Sequence, residues 1–82
     1  MQNGIDAVGT VTFVDKNYLI TINNAPIYSI VEYTFKDKLG KDYMRRVDTV
    51  PSDWVIRNKI EVDGKLKVKY LKENPVQNIM VL

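Results

Sequence analysis

Lys65-Leu66-Lys67-Val68-Lys69-Tyr70-Leu71 is the stretch that decides the fold class. Lysines at 65, 67 and 69 alternate with Leu66, Val68 and Tyr70. Successive side chains of a strand point to opposite faces, whereas a helix gathers residues three and four apart. No amphipathic helix produces a two-residue alternation, so the segment reads as a strand with Leu66, Val68 and Tyr70 inward and the lysines in water.

The same rhythm recurs on either side. Ala7 to Val14 alternates, with Ala7, Gly9, Val11 and Phe13 on one face and Val8, Thr10, Thr12 and Val14 on the other. Asp15-Lys16-Asn17 then predicts a polar turn, and Tyr18 to Ile22 a return strand. Asn23-Asn24-Ala25-Pro26 interrupts the pattern, because Pro removes a donor and biases its neighbour away from helix. Ile27 to Lys36 predicts the longest strand, with Ile27, Ser29, Val31, Tyr33 and Phe35 inward. Lys38-Leu39-Gly40-Lys41 predicts a loop with Gly40 at positive φ, and Asp42 to Val50 runs back antiparallel.

Pro51-Ser52-Asp53-Trp54 carries the chain's helical start signal, with Ser52 or Asp53 as the cap. A short helical turn followed by a strand near Ile60 is the expectation. The alternative is a strand from Trp54 to Val62, turned by Asp63-Gly64. After Lys72-Glu73-Asn74-Pro75 a final strand runs from Asn78 to Leu82. About six short strands cannot bury a one-sided sheet unless it folds over. The architecture expected is therefore a small, partly open β-barrel, OB-like or SH3-like, with a two-sheet sandwich as the second solution.

With 82 residues, the chain fits one domain over 1–82. It has no Cys, which excludes disulfides and thiolate metal sites, so packing and the sheet must supply the stability. Twelve Lys and Arg against ten Asp and Glu give a net charge of +2, too small to mark a nucleic-acid binder. No apolar run approaches the ~20 residues that span a bilayer. The start, Met1 to Asp6, has neither the basic nor the apolar part of a signal peptide. A complete chain of this kind is expected in the cytoplasm; one cut from a membrane protein is expected outside it.

Three stretches together carry a resemblance: Gly9-Thr10-Val11; Val31-Glu32-Tyr33-Thr34-Phe35 with Gly40-Lys41-Asp42-Tyr43; and Gly64-Lys65-Leu66-Lys67-Val68-Lys69-Tyr70-Leu71-Lys72-Glu73-Asn74-Pro75. The pattern resembles a bacterial domain-of-unknown-function family of small β domains. It is built as G-x-V, then V-x-Y with a G-x-x-Y hairpin, then G-x-x-V-x-V-x-Y ending in N-P. The resemblance implies a β domain often attached to membrane helices, with no established enzymatic activity and no catalytic or ligand residues to carry over. This chain carries no membrane helix.

Enzyme chemistry has little to work with. The chain contains no His and no Cys, which removes the usual base near neutral pH, the thiol nucleophile and most transition-metal sites. Ser29 and Ser52 have no evident partner, and the pairs Asp37 with Asp42 and Glu61 with Asp63 fall in turns, where acids cap the backbone. The expectation is a non-enzymatic binding or accessory module, with no catalytic residues, no metal and no cofactor. Its partner is expected to be protein.

Four surfaces could bind. The stripe of Lys65, Lys67 and Lys69, extended by Lys72, spaces its charges about 6.5–7 Å apart, close to phosphate spacing. A single-stranded nucleic acid is the second partner class. The plainer reading of the stripe is a guard on an edge strand against sheet-to-sheet pairing. Tyr28 opposes the parity of the inward aromatics and could be exposed. Trp54 could anchor a partner or plug a barrel end, and the plug is preferred because so small a core needs its Trp. Arg45 and Arg46 point to opposite faces. Arg45 is expected to lay its stem over apolar surface, reach solvent at the rim and pair with Glu32; the functional alternative for the pair is an anion site at the barrel mouth, and Arg46 is a candidate binding residue. The tail Ile79-Met80-Val81-Leu82 either completes the barrel or lies in a dimer interface.

Overall fold

The computed structural model describes residues 4–81. Met1 to Asn3, part of the stretch tested for a signal peptide, and Leu82, the end of the expected last strand, lie outside the described residues.

In chain order the elements are β1 (Gly4–Lys16), β2 (Thr21–Ile22), β3 (Ala25–Pro26), β4 (Tyr28–Lys36), β5 (Asp42–Pro51), α1 (Ser52–Arg57), β6 (Lys65–Leu71) and β7 (Asn74–Val81). One antiparallel sheet has the order β5-β4-β1-β6-β7, and β2 with β3 forms a separate two-stranded ribbon. The all-β small barrel expected from the alternation is what forms.

β1 builds the curvature. Its first half, Gly4 to Thr10, pairs with β6, and its second half, Thr10 to Lys16, pairs with β4. A bulge between Val11 and Phe13 bends the strand where the two ladders hand over. Such a bulge adds one unpaired residue and sharpens the local twist. It also reverses the parity expected for this strand: Val11 is buried, Phe13 is turned outward, and Val14 packs on the core in its place. Gly9 sits beside the bend, where a Cβ would come 2.9 Å from a Val68 methyl and 3.3 Å from the Thr34 carbonyl oxygen. The absence of a side chain there lets two ladders share one strand.

β4 carries Ser29, Val31, Tyr33 and Phe35 inward as its alternation predicts, while Ile27 precedes the strand and is exposed. Gly40, at φ 82°, turns the chain into β5. Asp37 caps that loop by accepting from the backbone N–H of Leu39 and Lys41, each at 2.9 Å. β6 spans Lys65–Leu71, with Leu66, Val68 and Tyr70 buried. Phe35 stacks between Tyr43 and Tyr70 at centroid distances of 5.6 and 5.5 Å. These aromatics share one core cluster with Val11, Val31, Val50, Val55, Leu66 and Val68.

Three local expectations fail. Tyr18 to Ile22 is not a return strand; the chain turns and then forms the ribbon, with Asn23 and Asn24 at φ 52° and 65°. Two successive positive-φ residues are the mark of a type I′ turn, so Asn23-Asn24 makes a hairpin where Pro26 alone had suggested a break. No strand forms near Ile60, because positive φ at Lys59 and Asp63 turns the chain back. Instead the Asp63 N–H donates to Val11 O, and Val11 N–H donates to Gly64 O, prolonging the β6 ladder onto β1. The helix starts as predicted, but Pro51 is its N-cap and neither Ser52 nor Asp53 makes a capping hydrogen bond.

The two outer strands close the barrel through side chains. Asn78 on β7 is 2 % exposed. Its Oδ1 accepts from the Tyr33 hydroxyl at 2.5 Å, and its Nδ2 donates to the carbonyls of Pro75 and Val76 at 3.1 and 3.0 Å. The guanidinium of Arg45 on β5 donates to the Asn78 backbone carbonyl. Residues 75–77 are extra on β7, since Tyr70 opposes Asn78 while Leu71 opposes Asn74. The Asn78 carboxamide ties this bulge together and pins it to the far side of the barrel. Burial raises the Tyr33 pKa above its ordinary value, and the Arg45 charge partly offsets the shift.

Candidate functional site

The lysine stripe is real as a stripe and wrong as an edge. β6 lies between β1 and β7, with Lys67 and Lys69 in register with Val81 and Ile79, so these two project from the interior of the sheet and do not guard a free edge. Lys65 Nζ donates to the Thr10 hydroxyl at 2.7 Å, and Lys69 Nζ lies 3.8 Å from an Asp6 carboxylate oxygen. Among the described residues Lys67 alone of the three makes neither kind of contact. It stands in register between Val8 and Val81, in an open groove of about 420 Å³ with Asp6, Ala7 and Lys69. One ammonium without a partner among the described residues, set between two aliphatic side chains, is a weak phosphate track.

The outer face of β4 and β5 is not basic either. Arg46 lies there, not in a barrel mouth, 2.8 Å from Asp48 and 4.0 Å from Glu32. The pairing expected for Arg45 thus belongs to its neighbour, and Arg45 itself turns to the closing seam. Asp48, through a hydrogen bond and its charge, raises the Arg46 pKa. Lys36 and Asp42 form another exposed pair at 3.9 Å. This surface is balanced, and its cations are already matched.

The aromatics do not make a stacking platform. Tyr33, Phe35 and Tyr70 are buried, and Tyr43 packs on them from β5. Trp54 is half-buried on α1 and packs against the core. Tyr28, expected to be exposed, is half-buried at the start of β4 opposite Pro51.

Exposed apolar side chains occur singly at Val8, Leu39, Met44, Val62 and Val76, and others gather at one pole of the molecule. The segment between β1 and β4 carries Tyr18, Leu19 and Ile22, respectively 68 %, 96 % and 58 % exposed, with Ile20 and Ile27 less so. Ile56 on α1 adds a side chain 75 % exposed. The segment is held at both ends. Asn17 is buried; its Nδ2 donates to Asp48 O at 2.8 Å, its Oδ1 accepts from Leu19 N–H at 3.0 Å, and its N–H reaches Tyr28 O at 2.9 Å. At the other end the Ser52 N–H donates to Ile27 O at 3.0 Å.

A groove of about 380 Å³ runs between this segment and α1, lined by Val14, Lys16, Tyr18, Ser29, Val55 and Ile56 among others. At its side the Ser29 and Ser52 hydroxyls lie 2.9 Å apart and bond to each other. Neither had an evident partner in the sequence, because they sit 23 residues apart. Asp15 and Lys16 line the same groove, with Lys16 in register opposite Ser29, and among the described residues neither serine hydroxyl is hydrogen-bonded to them.

Sequence reasoning passed over this pole because Tyr18, Leu19, Ile20 and Ile22 have the composition of a strand. The signal that could have found it is the Asn-Asn turn, which splits that apolar run into an isolated ribbon too short to bury its side chains. Among the described residues no helix is long and apolar enough to cross a membrane. No protein-family model matches the chain. No curated protein and no solved structure matches it either.

Proposed function

We propose that this domain is a non-enzymatic binding module of OB-like build that recognises protein through its apolar pole. The observation that carries the reading is the exposure of Tyr18, Leu19, Ile22 and Ile56, with Tyr18 and Ile56 lining one groove, while on the outer face of β4 and β5 Arg46 is matched by Asp48 and Glu32 around a lone exposed Met44. Contiguous exposed apolar groups on a small domain mark interaction surfaces, and large apolar and aromatic side chains supply the anchors. The OB-like description is supported by the five-stranded, partly open barrel and its long first strand shared by two ladders. In such barrels the loop after the first strand is one of the usual binding elements, and here the segment from Asn17 to Ile27 occupies that place. The resemblance to small bacterial β domains extends the reading to an accessory part of an envelope-associated protein.

Photo-crosslinking tests it. A benzophenone side chain at Leu19 or Ile56 is expected to capture a defined protein in cells that make this chain, while the same probe at Thr34, on the far outer face, captures none. Equal labelling from all three positions, or from none, refutes the assignment.

Single-stranded nucleic acid remains the second reading, and the observation in its favour is the row of Lys65, Lys67 and Lys69, in which Lys67 has no ion-pair or hydrogen-bond partner among the described residues. Fluorescence anisotropy at low salt separates the two. The protein reading expects no saturable binding of short DNA or RNA at about 100 µM, near the weak end of non-specific affinities. Salt-dependent binding lost on Lys67→Glu would reverse the preference.

A further inference from the structure

We infer that the occupant of the apolar pole is a second copy of this chain, joined ribbon to ribbon about a twofold axis. The inference rests on the protein-binding reading and narrows it to one partner.

The ribbon is the first argument. β2 and β3 are two residues each, and among the described residues they pair only with one another. A two-stranded ribbon with no sheet or core on its face is marginal in water, and three or more strands are needed to stabilise it. Its outer edges also carry unpaired backbone groups, a template for a further strand.

The ribbon also says which edge pairs. Thr21 opposes Pro26, and Ile22 opposes Ala25 across the Asn23-Asn24 turn. In a two-residue hairpin the pair next to the turn exchanges hydrogen bonds, and the following pair points its N–H and C=O groups outward. Pro26 has no N–H to offer, so the outer edge of β3 lacks its donor. Thr21 keeps both groups, and β2 is the edge that can accept a strand. The four-stranded order is then β3-β2-β2-β3, with the twofold axis between the two β2 strands.

Charge favours an identical partner. From Asn17 to Val31 the chain has no Asp, Glu, Lys or Arg. A twofold contact sets a patch against itself, so any net charge on it meets its own sign. An uncharged patch escapes that repulsion and also offers nothing to select a charged partner. At the base of the ribbon Asp15 and Lys16 carry opposite signs side by side, which suits a self-complementary rim.

A bilayer fits less well. The most distal residues of the hairpin are Asn23 and Asn24, so insertion would lead with two carboxamides and leave Leu19 and Tyr18 behind. Burying unpaired carboxamides is costly, whereas pairing the ribbon flanks leaves them in water.

Sedimentation equilibrium of the whole chain tests this. The wild type is expected to show a monomer–dimer equilibrium with a dissociation constant in the micromolar range, appropriate to a contact of modest size. Ile22 is exposed and outside the core, so Ile22→Asp and Ile22→Lys should each keep the wild-type circular dichroism and melting temperature. Each should weaken dimerisation by roughly tenfold or more. Mixed in equal amounts, the two variants should associate again, because the introduced carboxylate of one copy then meets the introduced ammonium of the other near the axis. A wild type that stays monomeric to about 300 µM overturns the inference; so does a dimer that both single variants leave intact, or a mixture that stays monomeric. If the chain is monomeric but Leu19 still crosslinks to a different protein, the self-association fails and the protein-binding reading stands.

Discussion

Asn78→Ala should unlock the barrel, and the size of the effect follows from the bonds at that one side chain. Removing the carboxamide leaves the Tyr33 hydroxyl, wholly buried, without its acceptor. An orphaned buried donor costs about 1–3 kcal/mol. The two bonds from Nδ2 to the Pro75 and Val76 carbonyls are lost as well, at about 1 kcal/mol each. Together the variant should lose roughly 3–5 kcal/mol, a large part of what a domain of this size possesses. Tyr33→Phe alone leaves Asn78 Oδ1 unpaired and should lose about 1–2 kcal/mol. Once Asn78 is alanine, however, the phenol has no partner to lose. The double variant should therefore be more stable than the sum of the single losses predicts, by about 1–2 kcal/mol. Urea unfolding followed by Trp54 fluorescence measures all three, with sulfate added if Asn78→Ala is too unstable in buffer. Losses that add to within about 0.5 kcal/mol would show that the two side chains are not coupled and that the seam is held otherwise.

Three further outcomes follow from the same structure. Gly9→Ala places a methyl 2.9 Å from Val68 and against the Thr34 carbonyl, so the urea midpoint should drop by the equivalent of about 1–3 kcal/mol, while Gly40→Ala is strained only by its positive φ. Because burial raises the Tyr33 pKa, the native state holds this proton more tightly than the unfolded chain does; stability should be unaffected up to the ordinary tyrosine value of 10.0 and fall as pH rises beyond it. Comparing alkaline melting curves of the wild type and Tyr33→Phe isolates that component, and identical slopes in that alkaline range would contradict it. The ion pairs of Arg46 are exposed and should matter little: Arg46→Gln is expected to leave the urea midpoint within the scatter of repeat titrations, and a clear drop would show that the pairs hold the β4–β5 ladder.

Where alternation is uninterrupted, the fold is legible in the residues. The strand at Lys65–Leu71, the inward set Ser29, Val31, Tyr33 and Phe35, the turn at Gly40 and the helix after Pro51 all follow from periodicity and turn chemistry. What escapes does so for identifiable reasons. A bulge leaves no mark on composition, so Phe13 and Val14 look as they would in a regular strand. Alternation reports which side of a strand is wet but not which strands flank it; Lys65, Lys67 and Lys69 look the same on an edge and in the middle of a sheet. Asn78 is hidden because its chief partner, Tyr33, is 45 residues away and only closure brings them together. The apolar pole is masked by its own composition, since Leu19, Ile20 and Ile22 are residues a buried strand would also use.

The division of β1 between two ladders also sets the order in which the chain can assemble. Its second half meets β4 after a short excursion, but Gly4 must wait for Leu71. A growing polypeptide can therefore form the β1–β4–β5 meander early, with the leading end of β1 left dangling until β6 has been made. Contacts of such long sequence separation slow the search for the native state. Until they form, the inward edge of that strand is an unclaimed template, and this interval is when the protein is most open to mispairing with its neighbours.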